Sequence, residues 1–224
     1  MRPLSLPLAL TARLSPVVVL AAAGWALTSG PFAPAPAADP QTQAQEKTES
    51  QSESAPSTSA ASKTYTGAPA PCDSVSSKTV TSLVPGAKTA GKEIPSTDTK
   101  LRRTCSWNAL KGYDYRWLDV SFEIKESDES AQNAYEQRIK DKSGGGDVPG
   151  LGDVGYSVVN LTTEDKQETR EGVVLVRASN ALVVVTYNGS DFESKGAPSS
   201  DEINKGAIKA AKDAVGALED GQKA

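Results

Sequence analysis

The chain has 224 residues, and its 24 Lys and Arg against 28 Asp and Glu give a formal net charge of −4 at pH 7. Its cations form no extended run, so neither nucleic acid nor an anionic membrane surface is an expected partner. The sequence contains no histidine, which excludes Ser-His-Asp and Cys-His nucleophiles and the typical zinc site. We therefore expect no bound metal and no cofactor.

The first 37 residues have the pattern of a cleaved signal peptide. Arg2 and Arg13 flank the n-region before an apolar stretch over residues 14–27, and Ala35 and Ala37 predict cleavage after Ala37. The alternative is an uncleaved membrane anchor, but a spanning helix needs about 20 apolar residues and this stretch is shorter. No cysteine directly follows the stretch, so lipidation is not expected. The sequence predicts an exported protein, secreted or associated with the cell envelope, that contacts a membrane only through an uncleaved N-terminus.

Residues 38–70 predict a disordered linker. They contain no Val, Ile, Leu, Met, Phe or Trp, and Tyr65 is their only aromatic residue. Such a segment cannot bury enough apolar surface to offset the entropy of ordering. The remaining residues, 71–224, have the length of a single domain with one hydrophobic core.

Cys72 and Cys105 are the only cysteines in the sequence. An exported chain with an even number of cysteines pairs them, so we expect a disulfide between these two residues. The alternative is a redox-active pair. The two cysteines lack the C-x-x-C spacing that lowers the pKa of a thiol, and this favours the structural role.

The predicted domain begins with a helix and a β-hairpin. Asp73 or Ser74 can cap a helix that runs to about Val84. Residues 101–109 and 113–125 then predict two strands. Alternate residues of the second strand are apolar and predict its core face: Leu118, Val120, Phe122 and Ile124.

The second half of the domain predicts a helix, three strands and a final helix. Ser127 is the expected N-cap of the first of these helices. Residues 156–162, 172–178 and 181–187 predict the strands, and the last two form a hairpin. Ser199 and Glu202 form a capping box before the C-terminal helix. Its apolar stripe consists of Ile203, Ala207, Ala210, Ala211, Ala214 and Leu218.

The predicted order is α-β-β-α-β-β-β-α. Strands that follow each other through short turns, with helices before and after them, are typical of an antiparallel sheet with packed helices. The predicted fold class is therefore α+β, with one disulfide.

Residues 150–155 match the pattern G-x-G-x-x-G, which binds a pyrophosphate when it follows a strand and begins a helix. Here a helix precedes the glycines and a strand follows them, so the required context is reversed. We instead expect a tight loop whose glycines adopt positive φ and in which Asp153 binds local backbone amides.

Aromatic residues crowd the first predicted hairpin, and Tyr113, Tyr115 and Trp117 lie on the face opposite the core residues. Exposed aromatic side chains on a sheet predict a binding surface. The alternative is that a helix covers them, which is the commoner arrangement with three helices to place on one sheet. Trp107 shares its strand face with Cys105, so we expect it to be buried near the disulfide. At least one of Tyr113 and Tyr115 is expected to remain accessible.

No pattern in the sequence singles out a catalytic residue. The motifs G-x-S-x-G, S-x-x-K and the P-loop are absent. The 28 acids leave candidate carboxylate pairs, but solvated surface is the ordinary role of Asp and Glu. The chain is not predicted to be an enzyme.

Three short motifs follow one another in the domain: Pro71-Cys72-Asp73, Cys105-Ser106-Trp107 and Pro149-Gly150-Leu151-Gly152-Asp153. Their order and spacing resemble an actinobacterial exported domain of unknown function, many members of which are lipoproteins. The resemblance covers about residues 71–220. It implies a Cys72–Cys105 pair and an envelope location, and it supplies no catalytic residues. This chain departs from the lipoprotein members because it lacks the lipidated cysteine.

These observations predict a non-catalytic binding or accessory module, secreted or in the cell envelope. Its partner would be an envelope protein, a glycan or a small apolar ligand. One alternative is a glycan-acting hydrolase that uses two carboxylates about 5 to 10 Å apart. Another is an extracytoplasmic sensor domain. Convergent acids in a cleft would favour the hydrolase, whereas an open apolar groove would favour binding.

Overall fold

A computed structural model describes residues 64–221. The predicted signal peptide and most of the predicted linker lie outside these residues. Within them, no helix is long and apolar enough to span a membrane.

The fold of residues 64–221 is α+β, as predicted: three helices pack on a seven-stranded antiparallel sheet. The strand order is β1-β2-β3-β7-β6-β5-β4, and every neighbouring pair is antiparallel. The elements are a 3₁₀ turn (Pro71–Asp73), α1 (Ser77–Leu83), β1 (Lys92–Ile94), β2 (Arg102–Lys111), β3 (Asp114–Ile124), α2 (Asp128–Ile139), β4 (Gly146–Asp147), β5 (Val154–Glu164), β6 (Gln167–Ala178), β7 (Ala181–Asp191) and α3 (Ser200–Asp220).

The outer strands and the N-cap of the first helix differ from the sequence prediction. The two outer strands, β1 and β4, are only three and two residues long, which is too short for alternation to reveal them. Neither Asp73 nor Ser74 caps the first helix. Ser76 does so, because its side chain accepts a hydrogen bond from the Thr79 N–H, whereas Asp73 lies in the preceding 3₁₀ turn.

One face of the sheet carries the main core. The predicted apolar positions of β3 are buried there, and α3 packs across β6 and β7 with its Ala-rich stripe. Ser199 caps α3 by accepting a hydrogen bond from the Glu202 N–H, as predicted. The Tyr187 hydroxyl donates to the Leu83 carbonyl over 2.7 Å, which ties α1 to β7 on the same face.

The α2 helix lies on the opposite face of the sheet and covers only part of it. Its buried residues, Ala131 and Tyr135, pack against Leu175 and Leu182 of β6 and β7. These strand residues point away from α3, because alternate residues of a strand face opposite sides. One end of this second face is therefore covered by α2.

The disulfide between Cys72 and Cys105 is present, with an S–S distance of 1.99 Å and a Cα–Cα distance of 5.1 Å. It joins the 3₁₀ turn to β2 in the main core. Trp107 is 1% exposed, and its indole N–H donates to the Thr89 carbonyl over 2.9 Å. A Cβ atom at Gly91 would lie 2.6 Å from both Cys105 Sγ and Trp107 Nε1, so the indole is buried beside the disulfide as expected.

The chain joins the folded unit before residue 71. Tyr65 is 6% exposed, and its backbone N–H donates to Asn180 Oδ1 over 2.7 Å. The Asn180 side-chain amide donates in return to the Tyr65 carbonyl and to the Lys125 carbonyl. Because Asn180 is fully buried in the β6–β7 turn, these bonds attach the segment before Pro71 to the sheet.

Candidate functional site

The part of the second sheet face that α2 leaves uncovered is the candidate site, and we call it the open face. The register places Asn108, Trp117 and Asn188 side by side across β2, β3 and β7. Ser106, Asp119 and Thr186 form the next row towards α2. Such a polar face is expected for an antiparallel sheet that meets solvent on one side.

Aromatic rings lie at the end of the open face that is farther from α2. Trp117 is 37% exposed, and its indole N–H donates to Ser106 Oγ at 2.8 Å and to Asp119 Oδ1 at 2.7 Å. The Tyr115 ring contacts Trp117 edge to face, with 6.5 Å between centroids, and contacts Phe192 with 6.0 Å between centroids. The two hydrogen bonds and the ring contact hold the Trp117 ring in place.

Tyr113 and Phe192 complete this aromatic end. Tyr113 is 57% exposed and Phe192 is 47% exposed, and the Phe192 N–H donates to the Tyr113 carbonyl over 2.9 Å. Burial and the negative charge of Asp119 raise the pKa of Tyr115, so its hydroxyl stays protonated at neutral pH. The helix that was expected to cover these rings lies over the other end of the face. The structure thus brings Tyr113, Tyr115 and Trp117 together at a solvent-accessible surface.

A cleft of about 450 Å³ adjoins the aromatic end and runs under α2. Asp119 belongs to both, because it lines the cleft and bonds the Trp117 indole. The floor of the cleft is formed by Val173, Leu175 and Val184. Its remaining walls carry hydroxyl and charged side chains: Arg102, Thr104, Ser121, Glu123, Arg138, Lys142 and Thr186.

Glu123 is 7% exposed in the wall of the cleft. Its carboxylate accepts hydrogen bonds from Arg138 Nη2 at 2.7 and 2.9 Å and from Lys125 Nζ at 3.0 Å. Burial raises the pKa of Glu123, but the hydrogen bonds and charges of Arg138 and Lys125 outweigh burial and leave the pKa below its ordinary value. Glu123 is therefore a charged, fully partnered side chain at neutral pH.

The glycine-rich loop is followed by a strand and not by a helix, as expected, but the element directly before it is the short strand β4 and not a helix. Gly150 and Gly152 have positive φ angles of 71° and 60°, as expected, whereas the φ of Gly155 is not positive. Asp153 does not bond local amides. Its Oδ2 accepts from the Ser179 N–H at 2.7 Å and pairs with Arg177 at 2.9 Å, so it binds the loop to the β6–β7 turn.

A larger cleft of about 590 Å³ lies at the other edge of the sheet, between the loop 144–149, β5 and α3. Its charged lining residues are Asp147 and Asp201, and the Ser157 hydroxyl is bonded to Asn204 across its floor. The cleft contains no aromatic and no cationic side chain that would orient a ligand, although it also has apolar lining residues: Val148, Pro149, Val158, Val159 and Ile208. We therefore place the candidate site on the open face.

The alternation in β3 places Asp119, Ser121 and Glu123 on the same face as Trp117. Their side of the sheet is therefore predictable, although nothing in the sequence marks them as site residues. Phe192 and the residues of α2 and β6 in the cleft carried no such signal. The pairing of β7 with β3 brings Phe192 to Tyr113, the pairing of β6 with β7 brings Val173 and Leu175, and the packing of α2 on the sheet brings Arg138.

No family model matches the chain, and no curated protein matches it. Among solved structures, the chain is similar to a crystal structure from Bacteroides thetaiotaomicron VPI-5482 determined at 1.50 Å resolution. The similarity has a TM-score of 0.33 and 11% sequence identity, and it covers 53% of this chain and 47% of that one. The chain thus spans about half the length of that protein, and the match carries no functional argument. The resemblance to actinobacterial exported domains stays a prediction.

Proposed function

We propose that this chain is an exported, non-catalytic binding module that captures an envelope protein, a glycan or a small apolar ligand through the open face. The observation that carries the proposal is the Trp117 ring, 37% exposed on a central strand and held by hydrogen bonds to Ser106 and Asp119. A large aromatic ring in a fixed orientation binds a partner with little loss of side-chain entropy.

The carboxylates of the open face support binding over hydrolysis. Glu123 and Asp119 are four residues apart on one strand, so their Cα atoms are separated by about 13 Å. Glycoside hydrolysis needs two acids that converge on one bond, one of them protonated. Glu123 is held charged by Arg138 and Lys125, and Asp119 accepts a hydrogen bond from Trp117.

Export is supported by the disulfide, because paired cysteines persist in oxidising compartments. The pairing of Cys72 with Cys105 is compatible with a secreted protein and with an envelope protein. Mass spectrometry of the N-terminus from the native host distinguishes cleavage after Ala37 from retention of residues 1–37.

The binding proposal is tested with the Trp117→Ala variant. The wild type and the variant are titrated with soluble peptidoglycan fragments, with envelope polysaccharides and with purified envelope proteins of the host. Isothermal titration calorimetry measures binding, because the variant lacks the tryptophan whose fluorescence would report it. We expect the wild type to bind at least one of these. Trp117→Ala should weaken that binding at least tenfold, since central aromatic residues carry about 2 kcal/mol or more of such interfaces.

Leu161→Ala is the matched control, because Leu161 is 48% exposed on β5, away from the open face. It should leave both binding and the melting temperature unchanged. Trp117→Ala should also keep its melting temperature within a few degrees. Equal losses of binding in both variants would show that the open face is not the binding surface.

A further inference from the structure

We propose that the cleft under α2 is a binding site for a small organic anion with an apolar body, such as a medium-chain carboxylate. This inference rests on the proposed binding function and names a ligand class for the open face. The cleft has a volume of about 450 Å³, which lies within the range of roughly 300 to 1,000 Å³ found for small-molecule sites.

The charges of the cleft favour an anionic ligand. Arg102 lies directly opposite Glu123 in the β2–β3 register, where a cross-strand ion pair would be expected. Glu123 is instead bound by Arg138 and Lys125. Among residues 64–221, neither Arg102 nor Lys142 has an ion-pair partner. Two cations in the cleft wall are thus available to an anion.

The floor of the cleft favours a ligand with an apolar body. Val173 and Val184 lie on adjacent central strands, β6 and β7, yet both are only half-buried. The surrounding positions of the open face, including Asp119, Thr186 and Asn188, are polar. An apolar floor at this place is explained if the body of a ligand covers it, because burial of such side chains stabilises a complex by about 25 cal/mol per Å².

The arrangement of these groups allows a single ligand to contact all of them. The same cleft is lined by two cations, Arg102 and Lys142, and by two apolar residues, Val173 and Val184. One ligand can therefore pair with the cations and cover the apolar floor. Asp119 lies about 13 Å along β3 from Glu123, so a second anionic group at that end would be repelled. The cleft therefore fits a ligand with a single anionic group beside α2 and an uncharged body that points towards Trp117.

The test uses octanoate as the probe and octan-1-ol as its uncharged analogue. Each is titrated into ¹⁵N-labelled protein, and the backbone amide shifts of Thr104, Ser121 and Val184 are followed. We expect saturable shifts with octanoate and at least tenfold weaker binding of octan-1-ol. Octanoate affinity should fall as salt concentration rises, because the cations of the cleft are exposed.

Two double variants with the same loss of positive charge test whether octanoate binds in the cleft. Arg102→Gln with Lys142→Gln should weaken octanoate binding at least tenfold. Lys209→Gln with Lys212→Gln, on the exposed side of α3, should leave it unchanged. All four side chains are exposed, so both variants are expected to fold, and melting temperatures confirm this.

The inference is overturned if octanoate produces no saturable shift at the three amides, if octan-1-ol binds as tightly, or if both double variants lose affinity equally. Trp117-dependent capture of an envelope component in the absence of octanoate binding would leave the proposed function standing and remove this ligand class. Octanoate binding without any Trp117-dependent capture would support this ligand class and contradict capture by the aromatic end of the open face. The binding function would then be restricted to the cleft.

Discussion

Trp107 and Trp117 are both on the first hairpin, but their environments are opposite. Trp107 is paired with Leu118 and faces the main core, whereas Trp117 is paired with Asn108 and faces the open side. Alternation along a strand assigns the two faces, because a shift of one position moves a side chain to the other side of the sheet. The same residue type therefore supplies a core anchor at one position and a candidate ligand contact at the other.

Gly91 offers a test of how tightly the disulfide region is packed. Its φ is +63°, and an added Cβ would lie 2.6 Å from Cys105 Sγ and from Trp107 Nε1. Gly91→Ala thus adds a steric clash to the cost of left-handed backbone, and we expect a loss of about 2 to 5 kcal/mol in the free energy of unfolding. Urea denaturation measures this loss.

Gly112 is the matched control, because its φ is +64° and no atom lies within 4 Å of the position of an added Cβ. Gly112→Ala should cost only the backbone term, about 1 to 2 kcal/mol. Equal losses at Gly91 and Gly112 would contradict tight packing around the disulfide.

At the scale of elements, α2 and α3 differ in how they are held. Eight residues of α3 are buried, whereas only Ala131 and Tyr135 are buried in α2. A helix with so small an apolar face depends more on its polar contacts. Glu123 provides one of these, because it binds Arg138 of α2 from the sheet.

The contact between Glu123 and α2 predicts a pH-dependent stability. Because the pKa of Glu123 lies below its ordinary value of 4.5 in the folded protein, its contribution is present above that value. It is lost as the pH falls through the lower folded pKa. Glu123→Gln should reduce the free energy of unfolding by about 1 to 3 kcal/mol at neutral pH, and the difference from the wild type should shrink at about pH 3.

Denaturation curves of the wild type and Glu123→Gln at the two pH values measure this effect. Glu164→Gln, at the exposed end of β5, removes an equal charge and should change stability by less than about 0.5 kcal/mol at either pH. A Glu123→Gln loss that is the same at both pH values would show that the ionisation of Glu123 does not contribute to stability.

At the scale of the whole molecule, the disulfide closes a segment that contains α1 and β1. Cys72 and Cys105 are separated by 33 positions in sequence, and the chain-entropy model gives about 3 to 4 kcal/mol for closing such a loop. The double variant Cys72→Ala with Cys105→Ala should be less stable by this amount. Thermal melts with and without reductant measure the loss.

The reductant provides the control within the same experiment. It should lower the melting temperature of the wild type towards that of the double variant, and it should leave the double variant unchanged. A wild type that resists strong reductant and a double variant with an unaltered melting temperature would together show that the bond adds nothing to stability.

The sequence by itself determined the local features of this protein. Alternation in β3 identified its core face, the Ser199 capping box located the start of α3, and the cysteine count gave the Cys72–Cys105 pair. Each of these signals depends on residues close together in the chain or on composition alone. The antiparallel α+β class followed from them, since neighbouring elements joined by short turns pack on one another.

Only the tertiary structure decided which helix lies on which face and where the open face begins. The apolar stripe of α3 requires a partner surface but does not specify which face of the sheet supplies it. The few buried residues of α2 likewise do not indicate on which face of the sheet α2 packs. The cleft joins Arg102, Arg138 and Val184 from three distant segments, so no spacing in the sequence reveals it. The hydrogen bond between Tyr65 and Asn180 could not be predicted for the same reason, because the two residues are 115 positions apart in the sequence.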